Sequence, residues 1–229
     1  MSIIKTQDLT KIYVDHTVEV HALNGVTLDV AEREFTAVVG PSGSGKTTFL
    51  NIVGGLDNPS SGTVSIGDTD ITDLKDNELI DFRLNNIGFV FQAYNLIPVL
   101  TAKENVEFIM LMQKKSKKER DSRVEELLVA VGLGDQMNKK PREMSGGQQQ
   151  RVAVARALAS KPKFVLADEP TANLDSKTAI NLLEIMANLN KEEGITFIFS
   201  THDQKVIDRA RRIVTLEDGK IVSDVEQNV

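Results

Sequence analysis

The hydrophobic residues near the start of the chain follow strand-like patterns. Residues 18–23 and 26–30 alternate hydrophobic and polar side chains, and Asn24 and Gly25 between them predict a two-residue turn that joins two strands. Residues 35–39 are almost continuously hydrophobic, which is typical of a strand buried on both faces of a sheet. Further runs of largely hydrophobic residues, which also predict strands, occupy positions 87–91, 164–167, 196–199 and 213–216.

Hydrophobic residues at helical spacing lie between these strand-like segments. The residues after Gly40 predict a hydrophobic helix that ends near Leu56. Thr101 and Glu104 form a capping-box pattern before a second amphipathic segment, and a later helix is predicted to end at Gly194. Because strands alternate with helices along the chain, the sequence predicts a parallel α/β core.

The length and the pattern together predict one domain. A chain of 229 residues fits one domain, or one domain with a subdomain. Residues 93–159 have a mostly helical pattern, so we predict that they form an inserted helical subdomain. Residues 1–92 and 160–229 then form the α/β core, and no linker is long enough to separate two independent domains.

The composition excludes several kinds of site. The chain has no cysteine, which excludes a disulfide scaffold, thiolate catalysis and thiolate-bound metals. Its three histidines, His16, His21 and His202, are too few to favour a multi-histidine metal site. The first residues lack a signal-peptide pattern, and hydrophobic runs such as residues 108–112 fall far short of the roughly 20 residues that span a membrane. We therefore expect a chain that does not cross a bilayer by itself.

The charge pattern is acidic overall, with one basic run. A net charge of −6 argues against a general nucleic-acid-binding protein, which would present a basic face. The basic run consists of Lys114, Lys115, Lys117, Lys118 and Arg120. Two interpretations stay open: a solvated helix face or loop, which is the usual state of charge runs, and a contact with lipid head groups or an acidic partner.

A glycine-rich segment lies between the buried strand at residues 35–39 and the first predicted helix. It fits the pattern G-x-x-x-x-G-K-[ST], in which glycines let backbone amides surround phosphate oxygens. The start of the helix adds a partial positive charge, Lys46 would reach the β- and γ-phosphates, and the Thr47 hydroxyl would coordinate Mg²⁺. The sequence therefore predicts a nucleoside-triphosphate site. Its loop residues are Gly40, Pro41, Ser42, Gly43, Ser44, Gly45, Lys46, Thr47 and Thr48.

Two adjacent acids follow the hydrophobic run at residues 164–167. Asp168 stands where a phosphate-loop enzyme places a carboxylate for the Mg²⁺ shell, and Glu169 would orient and deprotonate the attacking water. Acids at strand ends are also found as solvated turn residues. The phosphate loop earlier in the chain favours the catalytic interpretation.

A second candidate anion site begins at Ser145. Ser145 and Gln148 form a capping box, and the glycines between them expose the first amides of a predicted helix. Any capped helix shares part of this pattern, so the segment is weak evidence when taken alone.

The order of these motifs along nearly the whole chain resembles that of ATP-binding cassette (ABC) ATPases, the nucleotide-binding subunits of ABC transporters. Residues 144–148 match the family signature Leu-Ser-Gly-Gly-Gln. The resemblance implies an α/β P-loop NTPase (RecA-like) fold: a parallel-sheet core, an N-terminal antiparallel β subdomain and an inserted α-helical subdomain. It also implies that each signature contacts ATP held by the phosphate loop of a second copy, so that a head-to-tail homodimer encloses ATP.

The resemblance assigns roles to further residues. Tyr13 matches the aromatic residue that stacks on adenine, Gln92 the glutamine that contacts Mg²⁺ and water, and His202 the histidine that contacts the γ-phosphate. Asp175 matches the loop that couples the two sites. Simpler roles stay open for Tyr13 in strand packing, for Gln92 as a polar strand end and for Asp175 as a helix cap. The implied catalytic residues are Lys46, Gln92, Glu169 and His202; the implied Mg²⁺ ligands are Thr47, Gln92 and Asp168; the implied nucleotide contacts beyond the phosphate loop are Tyr13, Ser145, Gly146, Gly147, Gln148 and Asp175.

Three residues depart from the family pattern. Met144 replaces the usual leucine of the signature, which is a volume-conserving exchange. Arg33 stands where the family usually has glycine, so strain is expected if that turn requires a positive φ. Ala172 lacks the hydroxyl often found at its position, so its side chain cannot make a hydroxyl contact there.

The resemblance implies a transport task. ATP binding would join two cassettes, hydrolysis would release them, and a separate transmembrane permease would respond. The implied permease-docking surface is residues 93–104, although the hydrophobic residues there could instead belong to the core. Residues 50–57, 93–98 and 167–175 resemble most the branch of lipoprotein-releasing and macrolide-efflux ATPases. This predicts a cytoplasmic protein that is peripheral to the membrane through its permease.

Two other functions compete with this one. The first is a soluble ABC ATPase that serves DNA repair, translation or cluster assembly; the zinc modules, long coiled-coil inserts and tandem cassettes of several such proteins are missing from the sequence. The second is a scaffold that binds ATP without hydrolysing it. The presence of both Glu169 and His202 argues against the second.

Overall fold

A computed structural model describes residues 1–15 and 18–227, so His16 lies outside the described residues. The described strands are β1 (Ser2–Asp15), β2 (Val18–Ala31), β3 (Phe35–Val39), β4 (Ser61–Ile66), β5 (Thr69–Asp70), β6 (Ile87–Val90), β7 (Phe164–Asp168), β8 (Thr196–Ser200), β9 (Arg212–Glu217) and β10 (Lys220–Glu226). The α-helices are α1 (Lys46–Val53), α2 (Asp76–Asn86), α3 (Ala102–Met112), α4 (Lys117–Ala130), α5 (Gly146–Ala159), α6 (Ser176–Glu193) and α7 (Gln204–Ile207).

The central sheet has six strands in the order β10-β9-β3-β8-β7-β6. All neighbouring pairs from β9 to β6 are parallel, and only β10 is antiparallel to β9. The predicted parallel α/β core is therefore confirmed. Because the carboxyl ends of parallel strands meet at one edge, the segments that follow β3, β6, β7 and β8 lie together there.

The second sheet is antiparallel, with the order β2-β1-β4-β5. The predicted turn at Asn24 and Gly25 is wrong, because both residues lie inside the 14-residue strand β2. The pairing with β1 shifts register there, from Leu9 opposite Val26 to Thr10 opposite Asn24. Gly25 has φ 79°, as expected of a bulge in a bent strand. A local turn signal was thus overridden by pairing with a long partner strand.

Three α-helices and two short 3₁₀ turns fill the chain between β6 and β7. The predicted capping boxes are confirmed: Thr101 and Glu104 cap α3, and Ser145 and Gln148 cap α5. Helix α5 packs against α3 and α4 and also against β6 and α6. This arrangement agrees with an inserted helical subdomain, whereas its borders at residues 93 and 159 stay a prediction.

Two hydrophobic clusters cover the two faces of the central sheet. Along β7, Val165 and Ala167 join the cluster that contains α3, α4, α5 and α6, whereas Phe164 and Leu166 join the cluster that contains α1 and the antiparallel sheet. Since successive side chains of a strand point to opposite faces, one strand contributes to both clusters. The inserted helices are therefore packed onto the sheet that carries the predicted phosphate loop.

Arg33, which stands where ABC ATPases usually have glycine, lies in a turn with a positive φ. Arg33 has φ 66°, a left-handed conformation that disfavours residues with a Cβ. Its N–H donates to the Thr196 hydroxyl over 2.8 Å, and its carbonyl accepts from Asn190 and Arg211. These hydrogen bonds hold the turn in place without glycine.

None of the helices between residues 1 and 15 or 18 and 227 combines the length and hydrophobicity that a bilayer-spanning helix needs.

Candidate active site

A cavity of about 540 Å³ opens at the carboxyl edge of the central sheet. The strands β3, β6, β7 and β8 end there, and the antiparallel sheet closes one side. The cavity is lined by Tyr13, Val20, His21, Ala22, Ser42, Gly43, Gly45, Lys46, Thr47, Thr48, Gln92, Glu169 and His202. Of the predicted site residues, the structure thus brings together the adenine-stacking candidate, most of the phosphate loop and three catalytic candidates.

The phosphate loop requires glycine at two positions where a backbone carbonyl of another strand lies close to it. A Cβ on Gly40 would lie 2.0 Å from the Leu216 carbonyl oxygen, and one on Gly45, which has φ 101°, would lie 2.3 Å from the Ala22 carbonyl oxygen. Lys46 is buried, and its Nζ donates to the carbonyl oxygens of Gly40 and Pro41, at 2.9 Å each. The loop is therefore folded tightly around its own lysine.

Two oxygen groups meet beside this loop. The Thr47 hydroxyl lies 3.1 and 3.2 Å from the two carboxylate oxygens of Asp168 at the end of β7. A hydroxyl and one carboxylate suit Mg²⁺, which keeps several waters and takes its other ligands from substrate phosphates. Within the described ranges, no group of three or more histidines, cysteines or acids forms a metal cage. The donor set thus fits a Mg²⁺ ion that arrives with a phosphate ligand.

Glu169 is held by β8 and the segment that follows it. Its N–H donates to the Ser200 carbonyl, the Thr201 hydroxyl donates to Oε2 over 3.3 Å, and His202 Nδ1 lies 2.7 Å from Oε1. Glu169 has φ 45°, which is unusual for a residue with a Cβ. A carboxylate whose position is fixed this closely is suited to accept a proton from a bound water.

Tyr13 lines the cavity from β1 and is 40% exposed. Its hydroxyl donates to Asp57 over 2.7 Å, and Lys11 contacts both Asp57 and the face of the Tyr13 ring. Burial raises the pKa of Tyr13, and the Asp57 carboxylate adds to this. Burial opposes ionisation of Asp57, but hydrogen bonds from Lys11 and Tyr13 hold its pKa below the ordinary value. Exposure in the cavity argues against the simple strand-packing role.

The predicted signature lies outside this cavity. Ser145 is exposed at the start of α5, where its side chain accepts from the Gln148 N–H. Gly146 and Gly147 lie against Tyr94 and Thr178, where a Cβ would come within 2.7 and 2.1 Å of their side chains. The structure therefore does not bring the signature to the phosphate loop of the same chain.

Asp175 is also outside the cavity. Its side chain accepts from the backbone N–H groups of Lys177 and Thr178 at the start of α6. The hydrogen bond from the Thr178 hydroxyl, together with these N–H groups, lowers the pKa of Asp175. The helix-cap interpretation is confirmed, and the coupling role stays a prediction.

Several contacts around the site were missed by sequence reasoning. On β2, Val20, His21 and Ala22 line the cavity, and only the pairing of β2 with β1 places them there. Gln150, fully buried on α5, donates to the Pro170 and Phe91 carbonyls beside Glu169 and Gln92. A glutamine next to two others gives no sequence signal for burial.

Lys114 and Lys115 lie on the turn between α3 and α4, and Lys117, Lys118 and Arg120 lie at the start of α4, where Arg120 pairs with Glu107. Four lysines of the run, Lys114, Lys115, Lys117 and Lys118, are without an ion pair among the described residues. The two interpretations of this run stay open.

The comparisons with known proteins agree with this geometry. Residues 23–172 match the family model described as ABC transporter. The lipoprotein-releasing system ATP-binding protein LolD of Geobacter metallireducens is 44% identical over 97% of this chain and 99% of its own length. The macrolide export ATP-binding/permease protein MacB of Mannheimia succiniciproducens is 42% identical over the whole chain, which spans 35% of that protein.

Solved structures are similar over the same length. MJ0796 of Methanocaldococcus jannaschii has been described as a dimeric ATP-binding cassette in a post-hydrolysis state bound to ADP and Pi. That structure has a TM-score of 0.91 and 44% identity, and the match covers 99% of each chain. The RecA-like fold with its antiparallel sheet and helical insertion is thus confirmed, as is the resemblance drawn from the motifs. The chain belongs to the ABC transporter family of ATP-binding proteins.

Proposed function

We propose that this protein is the ATP-hydrolysing subunit of an ABC transporter and that it works as a head-to-tail homodimer. The observation that carries the proposal is the cavity in which the phosphate loop, Glu169 and His202 converge, while the signature at residues 144–148 stands apart. One chain thus has a hydrolytic cavity that its own signature does not reach, and a signature that can complete the cavity of a second chain.

The chain's own groups bind ATP in this cavity. The adenine ring stacks on the exposed face of Tyr13, and the backbone amides at the start of α1 bind the phosphates. Lys46 exchanges its two carbonyl partners for the β- and γ-phosphate oxygens. Thr47 and Asp168, with Gln92, would hold Mg²⁺, which when bound neutralises charge on the phosphates.

Glu169 acts as the general base in hydrolysis. It takes a proton from water as the water oxygen forms its bond to the γ-phosphorus, and the bond from that phosphorus to the bridging oxygen of ADP breaks. His202, in contact with Glu169 Oε1 through Nδ1, has its second ring nitrogen available for the γ-phosphate. Because the Glu169 carboxylate accepts from Nδ1–H, the second ring nitrogen must also carry a proton in order to donate to a γ-phosphate oxygen.

A second copy completes the site. Helix α5 begins with the Ser145 hydroxyl and two glycines, and the first backbone N–H groups of a helix favour an anion. In a head-to-tail pair this helix end faces the γ-phosphate bound by the partner, and ATP contacts both chains only in the closed dimer. The dimers described for MJ0796 support this arrangement.

The permease binds at residues 93–104, beside a groove of about 330 Å³ between β6 and α3. Arg156 donates to the carbonyls of Tyr94 and Asn95, and Asn105 contacts Ile97, so this segment is held in one shape. Val99 is 70% exposed at its tip. A rigid segment with exposed hydrophobic residues suits a protein partner, which would place the ATPase at the cytoplasmic face of the membrane.

The permease is a separate chain of the lipoprotein-release or macrolide-efflux type. The similarity to LolD over nearly the full length of both chains supports the separate arrangement. The similarity to the ATP-binding part of MacB supports the branch. The cargo is determined by the permease and is not encoded in this chain.

The central test is Glu169→Gln with Mg-ATP. Loss of the general base should lower turnover on the order of 10²- to 10⁴-fold, and a stable ATP-dependent dimer should appear in light scattering. A Glu169→Gln variant that stays monomeric and keeps full turnover would refute the mechanism. For the transport task, pull-down from detergent-solubilised membranes should recover a permease. Recovery of DNA, ribosomes or only soluble partners would instead support a soluble ABC ATPase.

A further inference from the structure

Gln150 is a buried polar side chain that the proposed mechanism does not use. It lies one turn into α5, is fully buried and has no hydrogen-bond partner for Oε1 within residues 1–15 and 18–227. Buried polar atoms are normally paired, and an apolar side chain of the same size would avoid the unpaired acceptor. The residue therefore needs an explanation in terms of its donor group.

The Gln150 amide nitrogen bridges two strand ends. Nε2 donates to the Pro170 carbonyl over 2.9 Å and to the Phe91 carbonyl over 3.4 Å. Phe91 precedes Gln92 at the end of β6, and Pro170 follows Glu169 at the end of β7, the neighbouring parallel strand. One side chain on the signature helix thus holds the backbone beside two catalytic candidates.

The backbone at Glu169 requires such support. Glu169 has φ 45°, and a residue that precedes proline is further restricted toward extended conformations. Conformations of this kind persist only where the surroundings impose them. On one side, the N–H of Glu169 donates to the Ser200 carbonyl. On the other side, Gln150 holds the carbonyl of Pro170, the residue that follows Glu169.

We infer that Gln150 is a positioning residue that makes the alignment of Glu169 and Gln92 depend on the position of helix α5. This inference rests on the proposed function. Helix α5 begins with the signature. When Ser145–Gln148 contact a partner's nucleotide, a shift of α5 is therefore passed to Glu169 through the Gln150 amide. Hydrolysis in the cavity of one chain then depends on whether the signature of that chain contacts the nucleotide bound by its partner. The residues that contact the nucleotide in the cavity stay the same.

The test compares Gln150→Met with Gln113→Met. Methionine keeps the volume and removes the donor. Gln113 is a matched control, because its amide also donates to two backbone carbonyls, those of Leu84 and Ser160, and it lies outside both the cavity and the signature. We expect Gln150→Met to lower kcat by about 10- to 100-fold with KM for ATP nearly unchanged, and Gln113→Met to keep wild-type kcat. A kcat equal to wild type in Gln150→Met, or a loss confined to KM or to the melting temperature, would overturn the inference.

Gln150→Glu tests the donor directly. A carboxyl buried at this position has a raised pKa, and its protonated form can donate to the Pro170 carbonyl. Its kcat relative to wild type should rise as pH falls from 8.5 to 6, whereas the ratio for Gln150→Met should stay flat. If the kcat of Gln150→Glu relative to wild type is the same at pH 6 and pH 8.5, the donor role is contradicted. This measurement does not need a folded Gln150→Met protein. If the wild-type protein does not hydrolyse Mg-ATP, the proposed function is refuted together with this inference. If the wild type hydrolyses Mg-ATP and Gln150→Met is equally active, only this inference is refuted.

Discussion

The phosphate-loop cavity and the signature end of α5 differ in how complete they are. In the cavity, residues from both sheets and four strand ends surround one space. At the signature, Ser145 is exposed, its hydroxyl accepts from the Gln148 backbone N–H, and the Gln148 side chain accepts from the Ser145 backbone N–H. The first region is an open cavity that several elements line together, and the second is an exposed helix terminus that lies outside this cavity.

Under the proposed function, this difference lets a single chain hold ATP and still depend on a partner for hydrolysis. The cavity is built by the protein's own packing, so it forms before any second copy arrives. The helix end contributes only when an anion is brought to it, since its partial positive charge acts over a short range. ATP can therefore act as the ligand that joins two otherwise separate copies.

The strongest test of this comparison separates the two regions. Lys46→Ala damages the cavity and Ser145→Arg blocks the helix end, so each variant alone should lose turnover by about 10²-fold or more. A mixture of the two forms heterodimers in which one site combines an intact cavity with an intact signature. That mixture should regain turnover that neither variant has, measured as phosphate release at constant total protein.

The control for Ser145→Arg is Ser116→Arg. Ser116 caps α4 in the same way, with Glu119 in the place of Gln148: its side chain accepts from the Glu119 N–H. Loss of that cap should lower stability by about 1 kcal/mol and leave turnover unchanged. Wild-type turnover in Ser145→Arg would show that the signature end is not part of the site.

Tyr13 tests the cavity side by itself. Tyr13→Ala removes the ring and should weaken ATP binding by about 1–3 kcal/mol, or about 5- to 150-fold in Kd. Tyr13→Phe keeps the ring and removes only the hydrogen bond to Asp57, so it should bind nearly as well as wild type. Titration of both variants at protein concentrations that keep the chain monomeric measures this. Equal affinities for Tyr13→Ala and wild type would mean that the ring only packs on the strand.

Sequence reasoning reached the parallel core because each of its strands is a buried hydrophobic run followed by a distinctive motif. It missed β4, β5 and β10, which are short or largely exposed and have polar sequences. Their hydrogen bonds come from neighbouring strands, and a local pattern does not show such partners. The same limit explains the turn wrongly predicted at Asn24 and Gly25.

The site residues divide in the same way. Lys46, Glu169 and His202 were found because their motifs are local in sequence. The contact between Lys11 and Asp57 joins residues 46 positions apart, and Gln150 is buried only because α5 packs across two strand ends. Contacts that depend on tertiary packing leave no periodic signal.

The smallest expected effect concerns the support of Tyr13 by Asp57. Asp57 has a lowered pKa because hydrogen bonds from Lys11 and Tyr13 outweigh its burial. A lowered carboxyl pKa stabilises the fold above the unfolded value of about 3.9 and ceases to do so as pH falls through the folded value. Asp57→Asn should therefore unfold about 1 kcal/mol more easily than wild type between pH 5 and 8.

The difference in the free energy of unfolding between wild type and Asp57→Asn should shrink below about pH 4, where the wild-type carboxylate becomes protonated and loses its charge. Urea unfolding of both proteins across this range measures it. Because the cavity side is complete within one chain, the difference should also be the same at any protein concentration. A difference that grows with protein concentration would mean that dimerisation, and not the fold of the single chain, sets the position of Tyr13.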